Sequence, residues 1–224
     1  MKKAIAILLS LTMILGLAAC GNSASQTEQP STEDTSVESK ADTESAENST
    51  DMENTDNQDV QDHKVLVAYF SATGNTKGVA EHIANGLNAD IYEIVPEEPY
   101  TDADLDYNDN NSRTTIEMND PDARPAISGS VENMEQYDTV FIGYPIWWGE
   151  APRIVSTFVE SYDFSGKTIV PFCTSGGSDM GSSATNLEQL TNGAAWLDGR
   201  RLNGSDSQDT VMEWVNSLDL NLGK

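Results

Sequence analysis

Three short segments of this sequence carry residues able to grip a ligand, and each follows an apolar run. Ser71-Ala72-Thr73-Gly74-Asn75-Thr76 offers three hydroxyls and a glycine that permits a tight turn. If a helix begins there, its free N–H groups and the positive end of its dipole join those hydroxyls, a donor set suited to a phosphate. A capped turn would use the same hydroxyls without any ligand. The segment lacks the Lys and second Gly of a Walker A loop, and it is not a G-x-G-x-x-G fingerprint. The second segment, Gly143-Tyr144-Pro145-Ile146-Trp147-Trp148-Gly149-Glu150-Ala151-Pro152, places two Trp side by side between turn residues. Neighbouring side chains point in different directions, so stacking on a planar ligand would account for at least one ring; packing on the loop itself is the alternative. The third, Thr174-Ser175-Gly176-Gly177-Ser178-Asp179-Met180-Gly181, has paired glycines that let backbone groups approach a flat polar ring edge, or that serve a flexible surface loop.

The elements that must position these loops alternate between strand and helix. Val65–Phe70 is a continuous apolar run suited to a strand buried on both faces. Val79, Ile83 and Leu87, with Ala80 and Ala84, form one apolar helix face. Ile91–Val95 reads as a strand stopped by Pro96, Thr139–Gly143 as another, and Ile154, Val155, Phe158 and Val159 mark a helix entered through Pro152. Thr168–Phe172 is the next strand, Leu187 and Leu190 suggest a helix, Ala195-Trp196-Leu197 begins a last strand, and a final helix lies near residues 206–218. This alternation predicts a doubly wound parallel sheet, in which ligands bind at the carboxyl ends of the strands. Residues 96–130 fit least well. They are polar and aperiodic, and read as a long excursion with one short helix near residues 114–118. Its Asp residues lack the Gly and Glu spacing of an EF-hand loop.

Together the three loops resemble the flavin-binding loops of the flavodoxin family. The first is similar to that family's phosphate loop, the Gly143–Pro152 segment to its second loop, and Thr174–Gly181 to its third. The likeness spans residues 64–218 and is closest to a branch with Tyr-Pro-Ile-Trp-Trp-Gly and Phe-Cys-Thr-Ser-Gly-Gly segments, here Tyr144–Gly149 and Phe172–Gly177. It implies an α/β, flavodoxin-like doubly wound sheet of five parallel strands in the order 2-1-3-4-5, with helices on both faces, and non-covalent FMN. Ser71, Thr73, Asn75 and Thr76, with Gly74 between them, would hold the phosphate. Pro145, Ile146, Trp147 and Trp148 would line the ribityl chain and one ring face, and Thr174, Ser175, Gly176 and Gly177 would border the ring edge. The third loop has no aromatic residue, so the second ring face is expected to be open to a quinone-like molecule.

Composition divides the chain further. Lys2 and Lys3 precede an apolar stretch over residues 4–19, shorter than the roughly 18–20 residues that span a bilayer. Leu17-Ala18-Ala19-Cys20-Gly21 resembles a bacterial lipobox, which implies a signal peptide over residues 1–19, acylation of Cys20 and a lipid anchor outside the cytoplasm. Residues 21–62 hold 12 acids against one base, Lys40, with 13 Ser or Thr and no aromatic residue, a composition that cannot offset the entropy of ordering and predicts a disordered tether. Residues 63–224 are long enough for one domain with a sizeable core. The whole chain, with 12 Lys+Arg and 37 Asp+Glu, has a formal charge of −25, unsuited to nucleic-acid binding.

The expectation is an FMN-binding redox protein carrying electrons at the outer face of the membrane. Alternatives are an NAD(P)H- or quinone-type FMN reductase and a flavin-binding lipoprotein without turnover. The expected partners are a redox protein or a quinone-like small molecule, with the membrane reached through the lipid. No residue is assigned as catalytic or metal-binding. Cys173 and His82 read as a small buried hydrophobe and a solvated residue.

Overall fold

The computed structural model describes residues 64–220. The signal-like segment, Cys20, the acidic stretch to residue 62 and His63 lie outside the described residues. In chain order the elements are β1 (Lys64–Tyr69), α1 (Asn75–Leu87), β2 (Asp90–Glu93), β3 (Val95–Pro96), α2 (Arg113–Asn119), β4 (Ile127–Ser128), a 3-10 turn (Met134–Gln136), β5 (Tyr137–Pro145), α3 (Arg153–Glu160), β6 (Thr168–Thr174), α4 (Ser183–Glu188), β7 (Ala195–Trp196), β8 (Arg200–Leu202) and α5 (Gln208–Asn216).

The main sheet runs β2-β1-β5-β6-β7, all parallel, with β8 also pairing with β6. Counting β7 and β8 as two halves of one last strand, this is the five-strand order 2-1-3-4-5. The period of two along each strand divides its side chains between two cores. Val65, Val67 and Tyr69 of β1, Phe141 of β5, and Val170 and Phe172 of β6 face α1 and α5, where Val79, Ile83, Val211 and Trp214 await them. Leu66, Ala68, Val140, Ile142, Tyr144, Ile169 and Cys173 face the other way, against Ile154, Val155 and Phe158 of α3 and Leu187 of α4. Burial on both faces is why these strands read as unbroken apolar runs.

Two local departures from the sequence reading have physical causes. The last strand is broken: Ile169 pairs with Trp196, but Phe172 pairs with Arg200, so β7–β8 carries one more residue than β6 opposite the gap. The gap falls beside Pro171, which has no N–H to give a ladder. Pro96 does not end a strand either. After Ile94, Val95 and Pro96 pair antiparallel with Ser128 and Ile127, closing the base of the excursion as a small ribbon. The short helix expected within the excursion is present as α2, capped by Ser112, whose hydroxyl accepts from the Thr115 N–H.

Candidate functional site

The first loop leaves β1 and turns into α1 through Gly74, at φ 85°, a left-handed conformation that glycine adopts without steric cost. Gly74 supplies no side-chain cap, and the first N–H bonded within this turn is that of Gly78, to the Gly74 carbonyl. The N–H groups of Asn75, Thr76 and Lys77 therefore stand at the open end of α1, where an anion is favoured. Asn75 donates its side-chain amide to the Thr73 hydroxyl at 3.0 Å, which leaves the Thr73 proton free to point outward. Thr76 is buried, and its hydroxyl meets that of Thr174 at 2.8 Å. This bond ties the first loop to the third across 98 residues of sequence.

The two Trp residues of the second loop have different surroundings. The Trp147 ring packs edge-on against Phe70 and Tyr100, with centroids 5.4 and 5.5 Å away. Trp147 and Glu150 exchange backbone hydrogen bonds at 2.9 Å in both directions, so Trp148 and Gly149 form the tip of a two-residue hairpin. Both tip residues have positive φ, 49° and 81°. Such a turn requires that conformation, which a Trp adopts only under strain. The Trp148 side chain is 47% exposed. Glu150 receives the Asn186 amide at 2.7 Å, which holds the foot of the hairpin to α4.

In the third loop, Ser175 accepts the N–H groups of Gly177 and Ser178 at 3.1 and 2.8 Å. Arg201, on β8, donates to the Gly177 carbonyl at 3.1 Å. The second loop is stitched to it by the Ile146 N–H, which donates to the Thr174 carbonyl at 3.0 Å. Cys173 lies beneath, fully buried, and burial pushes its thiol up to about 12, so it is a packing residue and not a nucleophile.

Two adjoining pockets open where the loops converge. The larger, about 300 Å³, lies between the second and third loops and is closed at one side by Asn75, Asn203 and Gly204. The smaller, about 150 Å³, lies between Ser71, Thr73 and Thr76 of the first loop and Trp148 of the second. Thr73, Pro145 and Trp147 border both, so Trp147 stands as a partition. No Asp, Glu, Lys, Arg or His lines either pocket. In a segment with 25 acids and nine bases, the carboxylates have been kept off the lining altogether.

All thirteen residues expected at the site lie on these three loops, and nearly all of them border a pocket. Gly74 and Gly177 shape the backbone instead. Sequence reasoning missed two further contributors. The β8–α5 turn brings Asn203 and Gly204, and the excursion brings Leu105, Tyr107 and Thr114 to the smaller pocket. The Asn-Gly pair after the last strand was a readable turn signal for the first group. The second carried no periodicity to betray it.

The fold and the site thus define a class: a doubly wound α/β protein whose candidate ligand site, at the carboxyl edge of its sheet, sets hydroxyl and N–H donors beside aromatic walls. A family model described as flavodoxin matches residues 64–218, and the chain belongs to the flavodoxin family. A crystal structure of a candidate flavoprotein from Bacteroides eggerthii is 49% identical, covering 70% of this chain and 99% of its own, with a TM-score of 0.67. One from Bacteroides uniformis is 46% identical over 69% of this chain and 98% of its own, with a TM-score of 0.66. A Lactobacillus acidophilus flavoprotein crystallised in complex with FMN shares the fold at 22% identity, over 68% of this chain and 99% of its own, with a TM-score of 0.53. No curated protein matches the chain.

The residues present fit FMN. Free N–H groups at the start of α1 and the hydroxyls of Ser71 and Thr73 suit a phosphate, and Trp147 and Trp148 offer aromatic walls. Gly176 borders the larger pocket, and a Cβ added there would meet no atom within 4 Å, so the third loop leaves open space at that point.

Proposed function

We propose that this protein is an FMN-dependent redox carrier tethered to the outer face of the cell membrane. The observation that carries the reading is the charge-free pair of pockets, furnished with hydroxyls and helix N–H groups at one place and aromatic walls at another. Bound FMN would supply one- and two-electron chemistry; the protein's own part is to hold and shield it. Ser71, Thr73 and the N–H groups of Asn75 and Thr76 bind the phosphate without a counter-cation. The Thr76–Thr174 bond fixes the spacing between phosphate loop and ring loop. Trp147, backed by Phe70 and Tyr100, excludes water from one side. No Asp, Glu, Lys or His borders the pockets, so a proton for a reduced substrate would have to come from Tyr107 or from water, which favours a carrier over a reductase.

Titration of the full-length protein, purified in detergent and stripped of flavin, with FMN and with riboflavin tests this reading. Quenching of flavin fluorescence by FMN at far lower concentration than by riboflavin is expected. Equal behaviour of the two would remove the phosphate loop from the account. Reoxidation of the reduced, loaded protein by a basic redox protein, slowed by salt, is expected of the carrier. Catalytic turnover of NADH with a quinone would favour the reductase instead. The location rests on the lipobox-like segment: Cys20→Ser is expected to release the protein from the membrane or leave the precursor uncut.

A further inference from the structure

A third cavity, about 300 Å³, opens beside Glu150 at the foot of the hairpin and shares no residue with the two pockets described above. The start of α3 supplies Arg153 and Ser156 to its lining, and α4 supplies Asn186 and Leu187. Its volume lies at the lower end of small-molecule sites.

Ser156 sets the problem. The residue is 5% exposed, and its hydroxyl has no hydrogen-bond partner among the described residues. The one side-chain polar atom there that is both sealed and unpartnered is the Tyr92 hydroxyl. That of Ser156 is therefore not sealed, and it opens to the cavity that the residue lines. Arg153 lies three residues earlier on the same helix face. It donates Nε and Nη2 to the Asp120 and Met118 carbonyls, at 3.1 and 3.0 Å, and pairs with no carboxylate among the described residues. Its Nη1 donors are unused. Pro152 gives α3 no side-chain cap, so the positive end of that helix adds to the charge of Arg153. Arg124 also lines the cavity, but its charge is taken by Glu160 at 2.6 Å.

The one carboxylate in the lining is Glu150. It accepts from Asn186 at 2.7 Å and from Ser182 at 3.4 Å, and a carboxylate has further lone pairs to offer. Ala151, Leu187 and Leu190 form an apolar wall. A water would satisfy Ser156 yet leave that wall and the Arg153 charge unused. A simple anion meets Glu150 as well as Arg153, and a simple cation meets Arg153 as well as Glu150. A zwitterion matches both, and its zero net charge avoids repulsion by the surrounding acids.

We propose that this cavity binds an α-amino acid with a small apolar side chain. The carboxylate sits at Arg153 and Ser156, the ammonium at Glu150, and the side chain against Leu187 and Leu190. Each polar group then uses donor or acceptor capacity that the fold leaves idle. The site is separate from the flavin pockets, and the proposal does not rest on the FMN reading.

Its test is the thermal midpoint of the full-length protein, purified in detergent, in rising L-leucine. Isovalerate, which lacks the ammonium, and isoamylamine, which lacks the carboxylate, are the controls at equal ionic strength. Leucine is expected to raise the midpoint with an apparent Kd at least about tenfold below that of either control, the value of one charge-assisted bond. Ser156→Ala removes a hydroxyl that no protein group uses. It is expected to keep the ligand-free midpoint and to weaken leucine about tenfold. Glu150→Gln is expected to erase the preference for leucine over isovalerate. The proposal is overturned by the absence of a shift with leucine, or by either control binding the wild type equally well. Unchanged leucine affinity in Ser156→Ala overturns it, as does an unchanged preference in Glu150→Gln. A lower ligand-free midpoint in Ser156→Ala would give that hydroxyl a partner within the protein, and overturns it too.

Discussion

Trp148 carries a conflict between stability and binding in a single side chain. Its left-handed backbone costs on the order of 1 kcal/mol, a penalty that glycine would not incur. The ring it presents makes no aromatic contact among the described residues, unlike that of Trp147. Trp148→Gly is therefore expected to raise the unfolding free energy of the flavin-free protein by up to about 1 kcal/mol, measured by urea denaturation. The same change should weaken FMN three- to tenfold or so, the value of one stacking contact. A variant both less stable and unaltered in affinity would mean that the ring packs on the protein and serves no ligand. Adjacent side chains point in different directions, so the sequence already indicated that these two rings could not both face one core. Which of the pair would be anchored was not legible, since one of the two anchoring rings, Tyr100, comes from a segment with no readable pattern.

At the level of elements, the site depends on how closely the last strand's turn approaches the first loop. A Cβ on Gly204 would lie 2.5 Å from the Asn75 amide oxygen and 2.8 Å from its Cβ. Gly204→Ala must push Asn75, and with it the Thr73 hydroxyl that Asn75 holds. We expect roughly a tenfold loss of FMN affinity for a stability change of about 1 kcal/mol, because the added methyl displaces a surface loop and leaves the core unaltered. An unchanged dissociation constant would show that the phosphate loop tolerates the shift. Strands and helices of the sheet were largely readable, since burial on two faces leaves continuous apolar runs and burial on one leaves helical stripes. The β7–β8 break was not: it depends on Pro171 in the neighbouring strand, a partner that local periodicity does not reveal. The excursion was unreadable for a related reason. Its order comes from Asp, Thr and Arg hydrogen bonds, which leave no hydrophobic period in the sequence.

Across the whole domain, several tyrosine hydroxyls are held in their neutral form. Burial, and a hydrogen bond to Asp90, push Tyr137 up to about 12 from an ordinary 10.0. Tyr69, Tyr100 and Tyr144 are raised as well, in each case first by burial. The folded state thus prefers the protonated phenol more than the unfolded chain does. That preference is fully present below pH 10 and is lost as pH rises through the folded-state values. Stability is expected to be insensitive to these groups near neutrality and to fall from about pH 10 to pH 12 and beyond, which denaturant midpoints across that range would check. A midpoint flat to pH 12 would mean that the phenols ionise in place.

The charge-free lining has a consequence for kinetics. FMN brings about two negative charges to a segment with 25 acids and nine bases, so its approach is opposed over a distance comparable to the Debye length. Once seated, it meets only neutral donors, and no ion pair with the protein exists for salt to weaken. Added salt should therefore quicken association while leaving dissociation nearly untouched, so that this polyanion takes up its anionic ligand more tightly in concentrated electrolyte than in dilute. Stopped-flow traces at about 10 and 500 mM salt, one on each side of the screening range, would show the association rate rising. A rate that fell instead would reveal a cation guiding the phosphate inward. Environments of high ionic strength would then be those in which the protein keeps its flavin best.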